Sequence, residues 1–340
     1  MSRDEQPVIG ESPAFLEVLD QVSRAAGVQR PVLIVGERGT GKELVAERLH
    51  FLSARWDQPL VKLNCAAISE ALLESELFGH EAGAFTDASS QRLGRFESAD
   101  GGSLFLDELA STTAAVQEKI LRVIEYGQFE RLGSSKTRRV DVRLIGAANV
   151  DLPALAASGR FRSDLLDRLA FDVITLPPLR ARPEDILPLA EQFAMRITRE
   201  LRRELFAGFS PQVTEQLLNH PWPGNIRELK NVVERAVYRH QAIEAPISSL
   251  VLDPFDSPWR PGASLRSGDG RPPPPDPARQ PLDLRAYLNT VEKDLVERAL
   301  AASNHHQGQA AQRLGLSYDQ IRGILRKHEL TGKTNTGPDA

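Results

Sequence analysis

Apolar positions change texture several times along the chain. Residues 31–36, PVLIVG, form a solid apolar run closed by glycine, the pattern of a buried strand. A helical pattern follows over GKELVAERLHFL. A second apolar run, GGSLFLDE, lies at 101–108, a helix over TAAVQEKILRVIEYG comes next, and a third run, VDVRLIGAAN, ends at 149. A further strand is expected at 59–64, and ISEALLESELF before residue 79 is amphipathic. Strands alternating with helices predict a doubly wound parallel α/β sheet. From about residue 178 the strands stop, and two stretches with helical spacing predict a small helical subdomain. Residues 254–281 hold nine prolines among glycines and serines, a linker composition. Helical spacing returns at 283–330, and the polar tail 331–340 is expected to be frayed. The expected division is 1–177, 178–252, 253–282, 283–330 and 331–340.

Composition narrows the class. With 340 residues, 41% hydrophobic and 26% charged, the chain reads as an ordinary globular protein of two or three domains. Apolar runs stay well short of the ~18–20 residues of a membrane helix. The start, MSRDEQPVIGESP, has no apolar segment of the kind a secretory signal carries, so a cytoplasmic location is expected. The single cysteine, Cys65, excludes an intrachain disulfide and reads as a small buried residue. A net charge of −4 excludes a globally basic nucleic-acid binder but not a local basic patch.

The chemistry-bearing residues begin at GERGTGKE, which supplies Gly36, Glu37, Arg38, Gly39, Thr40, Gly41, Lys42 and Glu43. It fits G-x-x-x-x-G-K between a strand and a helix, the setting in which backbone N–H groups and a helix N-terminus cradle phosphates. Lys42 would reach the β and γ phosphates of ATP. Glu43 stands where a serine or threonine is usual, so Mg2+ must lean on Asp107 and water. The strand SLFLD delivers Asp107 at its end, and Glu108 beside it can polarise an attacking water. Arg162 and Arg168 in FRSDLLDRL lie within two helical turns, placed to neutralise charge on a neighbouring subunit's nucleotide, or else to pair with Asp164 and Asp167. In WPGNIRELKN, Asn225 reads as a helix cap. Arg227 in the first turn is electrostatically poor for a helix, which suggests a phosphate contact rather than a surface pair with Glu228.

At the far end, 305–330 reads as two helices around a turn. Gly315 ends the first and Ser317 caps the second. Ile321, Ile324 and Leu325 form the second helix's apolar stripe. Tyr318, Gln320, Arg322, Arg326 and Lys327 lie off it, available to DNA bases and phosphates. Trp56 sits in the polar stretch SARWDQPL, either exposed as a partner site or partly covered by the strand at 59–64.

Taken together, GERGTGKE, ESELFGHEAGAFT, GGSLFLDE, FRSDLLDRL and WPGNIRELKN resemble the AAA+ domain of bacterial enhancer-binding activators of sigma-54 RNA polymerase. The resemblance implies an AAA+ P-loop sheet with a helical lid and a Fis-like helix-turn-helix end. It also implies a hexameric ring that hydrolyses ATP and binds upstream enhancer DNA. The loop GAFTDA, with Gly83, Phe85 and Thr86, would contact sigma-54, although Asp87 replaces the usual glycine. By the same resemblance Asn64 is a switch residue sensing Glu108. Asn149 occupies a sensor position after Ala148, and Ile9 and Ile226 are candidate adenine contacts. It further implies a negative regulator acting in trans, a peripheral membrane phage shock protein, for which Trp56 is the candidate contact. Two other readings stand beside this one. One is an AAA+ protein remodeller not dedicated to transcription, the other a DNA-binding regulator whose nucleotide is only a ligand.

Overall fold

The computed structural model describes residues 9–84, 90–257, 259–260, 283–303 and 306–328. They form two units, divided between Pro254 and Phe255. In the first, α1 (Pro13–Ala26) precedes β1 (Val32–Val35), α2 (Lys42–Phe51), β2 (Leu60–Asn64), α3 (Glu70–Phe78), the single turn α4 (Arg95–Ser98) and β3 (Ser103–Asp107). Then come α5 (Ala114–Tyr126), a hairpin of β4 (Gln128–Glu130) and β5 (Thr137–Arg139), and β6 (Arg143–Ala148). After α6 (Leu152–Ala157), α7 (Ser163–Leu169) and β7 (Asp172–Thr175) the chain turns helical, with α8 (Ile186–Glu200), α9 (Pro211–Asn219) and α10 (Asn225–Arg239).

The five-stranded sheet is parallel in the order β2-β3-β6-β1-β7. Strand alternation divides its core. Leu33, Leu104 and Leu106 pack on one face with α3 and α5, while Val32, Ile34, Phe105, Ile145 and Ile174 pack on the other with α1 and α2. Helix α1 shows why its residues form a helix. The Ser12 hydroxyl accepts from the Phe15 N–H, Pro13 occupies the first turn, and Phe15, Val18, Val22 and Ala25 recur on the buried side. Arg143, buried in β6, donates to the Ala25 and Ala26 carbonyls at the other end of α1, at 2.7 and 3.3 Å. Burial of that guanidinium, with Arg55 nearby, pushes its pKa down to about 10.

An ion cluster centred on the buried Arg131 joins α4 to the hairpin. Arg131 bonds Glu97 at 2.6 Å and Glu81 at 3.1 Å, and Arg138 reaches Glu81 at 3.2 Å. Helices α8–α10 close round a separate core containing Leu179, Ile186, Leu189, Leu217, Leu229 and Trp222. In the second unit α11 (Leu284–Ala301), α12 (Gln307–Leu314) and α13 (Tyr318–Lys327) share a small core of Val296, Leu300, Ala310, Ala311, Ile321 and Leu325. Among the described residues no helix is long and apolar enough to cross a membrane.

Candidate functional site

The parallel order brings the ends of β2, β3, β6 and β1 side by side. Asn64 closes β2, Asp107 closes β3 with Glu108 next, and Asn149 follows β6. Residues 36–41 connect β1 to α2, with Gly39 and Gly41 at φ of 78° and 98°, a region that favours glycine. Lys42 opens α2 and donates to the Gly36 and Glu37 carbonyls at 2.9 and 3.1 Å. Burial lowers its ammonium pKa, and the charges of Arg227 and Arg38 add to that while Asp107 and Glu108 oppose it. The predicted phosphate loop, its lysine and the two acids therefore meet at one edge of the sheet.

The amide contacts differ from the expectation. Asn64 donates to Asp107 at 3.1 Å and accepts from the Ala66 and Ala67 N–H groups, rather than engaging Glu108. Glu108 instead accepts from Asn149 at 3.1 Å, and its own backbone is left-handed at φ 54°. The physical reason is register. Asn64 pairs with Asp107 across β2 and β3, whereas Glu108 is already past the strand and turned toward β6. Glu43 bonds Lys62 of β2 at 2.9 Å. Cys65 is buried as predicted, and that burial, reinforced by Asp107 and Glu108, pushes its thiol up to about 12.

Asn225 requires a second correction. It does not cap α10, whose cap residue is Gly224. Fully buried at φ 53°, its side chain accepts from the Leu179 N–H at 2.8 Å and donates to Glu37 at 3.1 Å and to the Arg38 carbonyl at 3.0 Å. Glu228 bonds His220 and the Gly224 N–H rather than Arg227, whose Cβ instead lies beside Gly39. Ile226 abuts Gly41 and, like Ile9, is half-buried against the helical core. Sequence reasoning passed over Arg180 and Arg182. Arg180 forms a two-pronged pair with Glu37 at 2.6 and 2.8 Å, which together with Asn225 holds that carboxyl down at about 2. Arg182 is wholly buried, donates to the Thr40 carbonyl at 3.1 Å and lies over the Phe15 ring. Two arginines one residue apart, just ahead of an acidic pair in LRARPED, were the available signal.

Arg162 and Arg168 pair away from this edge. Arg162 bonds Asp164 at 2.7 Å, and Arg168 bonds Glu125 of α5 at 2.8 Å rather than Asp167. Trp56 is 63% exposed in the turn before β2, so the partly covered alternative does not hold. Gly83 has open space where a side chain would project, while Phe85, Thr86 and Asp87 lie outside the described residues. In the second unit Gly315 ends α12 at φ 67°. Ser317 caps α13 through a reciprocal pair with Gln320. Lys327 is engaged by Glu292 at 2.7 Å, and Tyr318 reaches Gln307 at 3.5 Å. Among the described residues the Arg322 and Arg326 guanidiniums form no hydrogen bond or ion pair.

A glycine-rich loop on a parallel sheet, two acids at the end of a strand two places away and a helical lid touching the loop define an AAA+ ATPase. Residues 8–175 match the sigma-54 interaction domain, 180–253 the AAA+ ATPase lid domain and 287–328 the Fis family of bacterial regulatory proteins. The chain belongs to the sigma-54 activator family: it is a sigma-54-dependent transcriptional activator with a helix-turn-helix DNA-binding domain. It is 53% identical over 331 residues to the Psp operon transcriptional activator of Escherichia coli K12, across 97% of this chain and 100% of that one. It is 45% identical to the transcriptional regulatory protein ZraR of Klebsiella oxytoca, across 94% of this chain and 68% of that one. Among solved structures, NtrX from Brucella abortus aligns with a TM-score of 0.69 at 30% identity, over 94% of this chain and 68% of that one. NtrX in complex with ATP aligns with a TM-score of 0.67 at 31% identity, over 94% and 69%.

Proposed function

We propose that this protein assembles into a hexameric ring on upstream enhancer DNA and uses ATP hydrolysis to remodel the closed complex of sigma-54 RNA polymerase. A Psp-type operon would be among its targets. The observation that carries this reading is the meeting of Lys42, Asp107, Glu108 and the loop 36–41 at one sheet edge. Lys42 binds the β and γ phosphates, and Glu108, oriented by Asn149, positions the attacking water. Asp107 is the residue that would hold Mg2+. Such an ion neutralises phosphate charge.

Arg227 and the half-buried Ile9 and Ile226 bind nucleotide from the lid side. Arg162 and Arg168 serve the nucleotide of the adjacent subunit, which fits their pairing away from their own loop. Gly83, Phe85 and Thr86 contact sigma-54. Ser317, Tyr318, Gln320, Arg322, Arg326 and Lys327 face DNA, Lys327 after leaving Glu292. Exposed Trp56 receives a negative regulator in trans, and the protein acts in the cytoplasm. The division at 177, 252, 282 and 330 belongs to the same proposal.

The test is open-complex formation at a sigma-54 promoter with ATP. Native protein activates, and Thr86→Ala abolishes activation while ATP hydrolysis persists. Hydrolysis with no promoter opening until Asp87→Gly is introduced would refute the remodelling reading for the native chain. An ATPase rate per subunit that does not rise with protein concentration would refute the ring.

A further inference from the structure

Residues 37–40 of the phosphate loop are gripped from behind by the lid. The Arg38 carbonyl accepts from Asn225, the Gly39 carbonyl from the Ile226 N–H at 3.0 Å, and the Thr40 carbonyl from Arg182. The Glu37 carboxylate accepts from Arg180 and Asn225. A trans peptide is planar, with its C=O and N–H pointing in opposite directions. Three successive carbonyls committed to the lid therefore turn the N–H groups of Gly39, Thr40 and Gly41 the other way. None of these peptide planes can rotate without breaking a lid contact.

Asn225 is the centre of this grip. Its carboxamide accepts from the lid's own Leu179 N–H and donates to two loop residues, a combination a carboxylate cannot supply. Its left-handed φ of 53° is a conformation asparagine tolerates and most side chains resist. Gly39 allows the approach, since a Cβ there would lie 2.3 Å from the Gly224 carbonyl.

We propose that Asn225 is a positioning residue for phosphate recognition, setting the loop's N–H groups through Glu37 and Arg38 without touching the nucleotide. This rests on the loop being the ATP site. The consequence is that lid placement and phosphate affinity are one variable.

The test uses the full chain, with mant-ADP and Mg2+ as the binding probe and steady-state ATP hydrolysis alongside. Asn225→Asp keeps the backbone preference and the acceptor but sets a second carboxylate against Glu37. It weakens mant-ADP binding and raises KM about tenfold, the effect expected when a buried polar contact is lost, with kcat changed less. Adding Glu37→Gln restores most of the affinity, because the new amide donates to Asp at 225. Glu37→Gln alone completes the cycle, and circular dichroism confirms that each variant is folded. Native protein that binds mant-ADP while Asn225→Asp binds equally well overturns the proposal. So does a folded double variant that stays as weak as Asn225→Asp. Native protein that binds no mant-ADP removes the ATP-site reading itself, and the proposal with it.

Discussion

Trp222 is where the lid's stability and the site meet. It is fully buried, its indole N–H donates to the Leu217 carbonyl at 2.8 Å, and its ring meets His220 edge-on at 4.6 Å. Replacing a buried tryptophan with alanine costs about 3–5 kcal/mol. The orphaned Leu217 carbonyl adds about 1 kcal/mol. Relief of the left-handed backbone (φ 48°) by a smaller residue returns little, about 1 kcal/mol at most. The net for Trp222→Ala is about 4 kcal/mol, or roughly 8–16 °C in melting temperature for a unit of this size. Trp222→Phe keeps an aromatic ring but loses the donor and part of the volume, about 2 kcal/mol and roughly 4–8 °C. The assay is thermal unfolding by far-UV circular dichroism, with tryptophan emission alongside. Trp56 and Trp259 are exposed, so the enclosed, blue-shifted component belongs to Trp222 and vanishes in both variants. A Trp222→Phe protein that melts within about 1 °C of native refutes the reasoning, because neither the hydrogen bond nor the packing would then be contributing.

Arg131→Ala removes the closest ionic partner of the largely buried Glu97 and leaves it to Arg138 at 3.5 Å and the Gly94 N–H, destabilising the ATPase unit by about 2–3 kcal/mol, read by denaturant titration. Burial pushes the Glu97 carboxyl up, and Arg131 outweighs it together with the Gly94 N–H and Arg138, holding the carboxyl below its ordinary value. That stabilisation is present above the unfolded value and is lost as pH falls through the folded one, so the native acid limb should be muted in Arg131→Ala. In the second unit Lys327 and His328 hold Glu292 low, so its melting temperature falls on acidification below the ordinary carboxylate range and Glu292→Gln blunts the fall. Cys65 stays protonated until strongly alkaline pH, so a thiol reagent at about pH 8 labels only denatured protein, and rapid native labelling would contradict the burial.

The phosphate loop was legible because its information is local: glycines at fixed offsets, a strand before, a helix after. The acids were legible for the same reason, since an apolar run ending in Asp107-Glu108 can only present them at a sheet edge. What lay beyond reach is pairwise. Asn64 sits one strand from two adjacent carboxylates, and only register chooses Asp107. Asn225 before a helical stretch reads as a cap, and nothing local reveals that its partners lie at 37 and 38. Strands β4, β5 and β7, of three or four residues, are too short to carry an alternation. Lys327 looked available because its partner Glu292 is on another helix.

Neighbouring strands stand ~4.8 Å apart and each residue advances its strand by ~3.3 Å, so the edge carrying Asn64, Asp107, Glu108, Asn149 and Gly36 behaves as a ruler with fixed graduations. A slip of one residue in a single strand would move its functional group by nearly a full graduation and turn it to the opposite face. Neighbours on both sides would lose a partner together. Helical content and even compactness could survive such a slip, whereas turnover could not. For this protein, ATP hydrolysis is a stricter proofreader of correct assembly than any spectroscopic measure of folding.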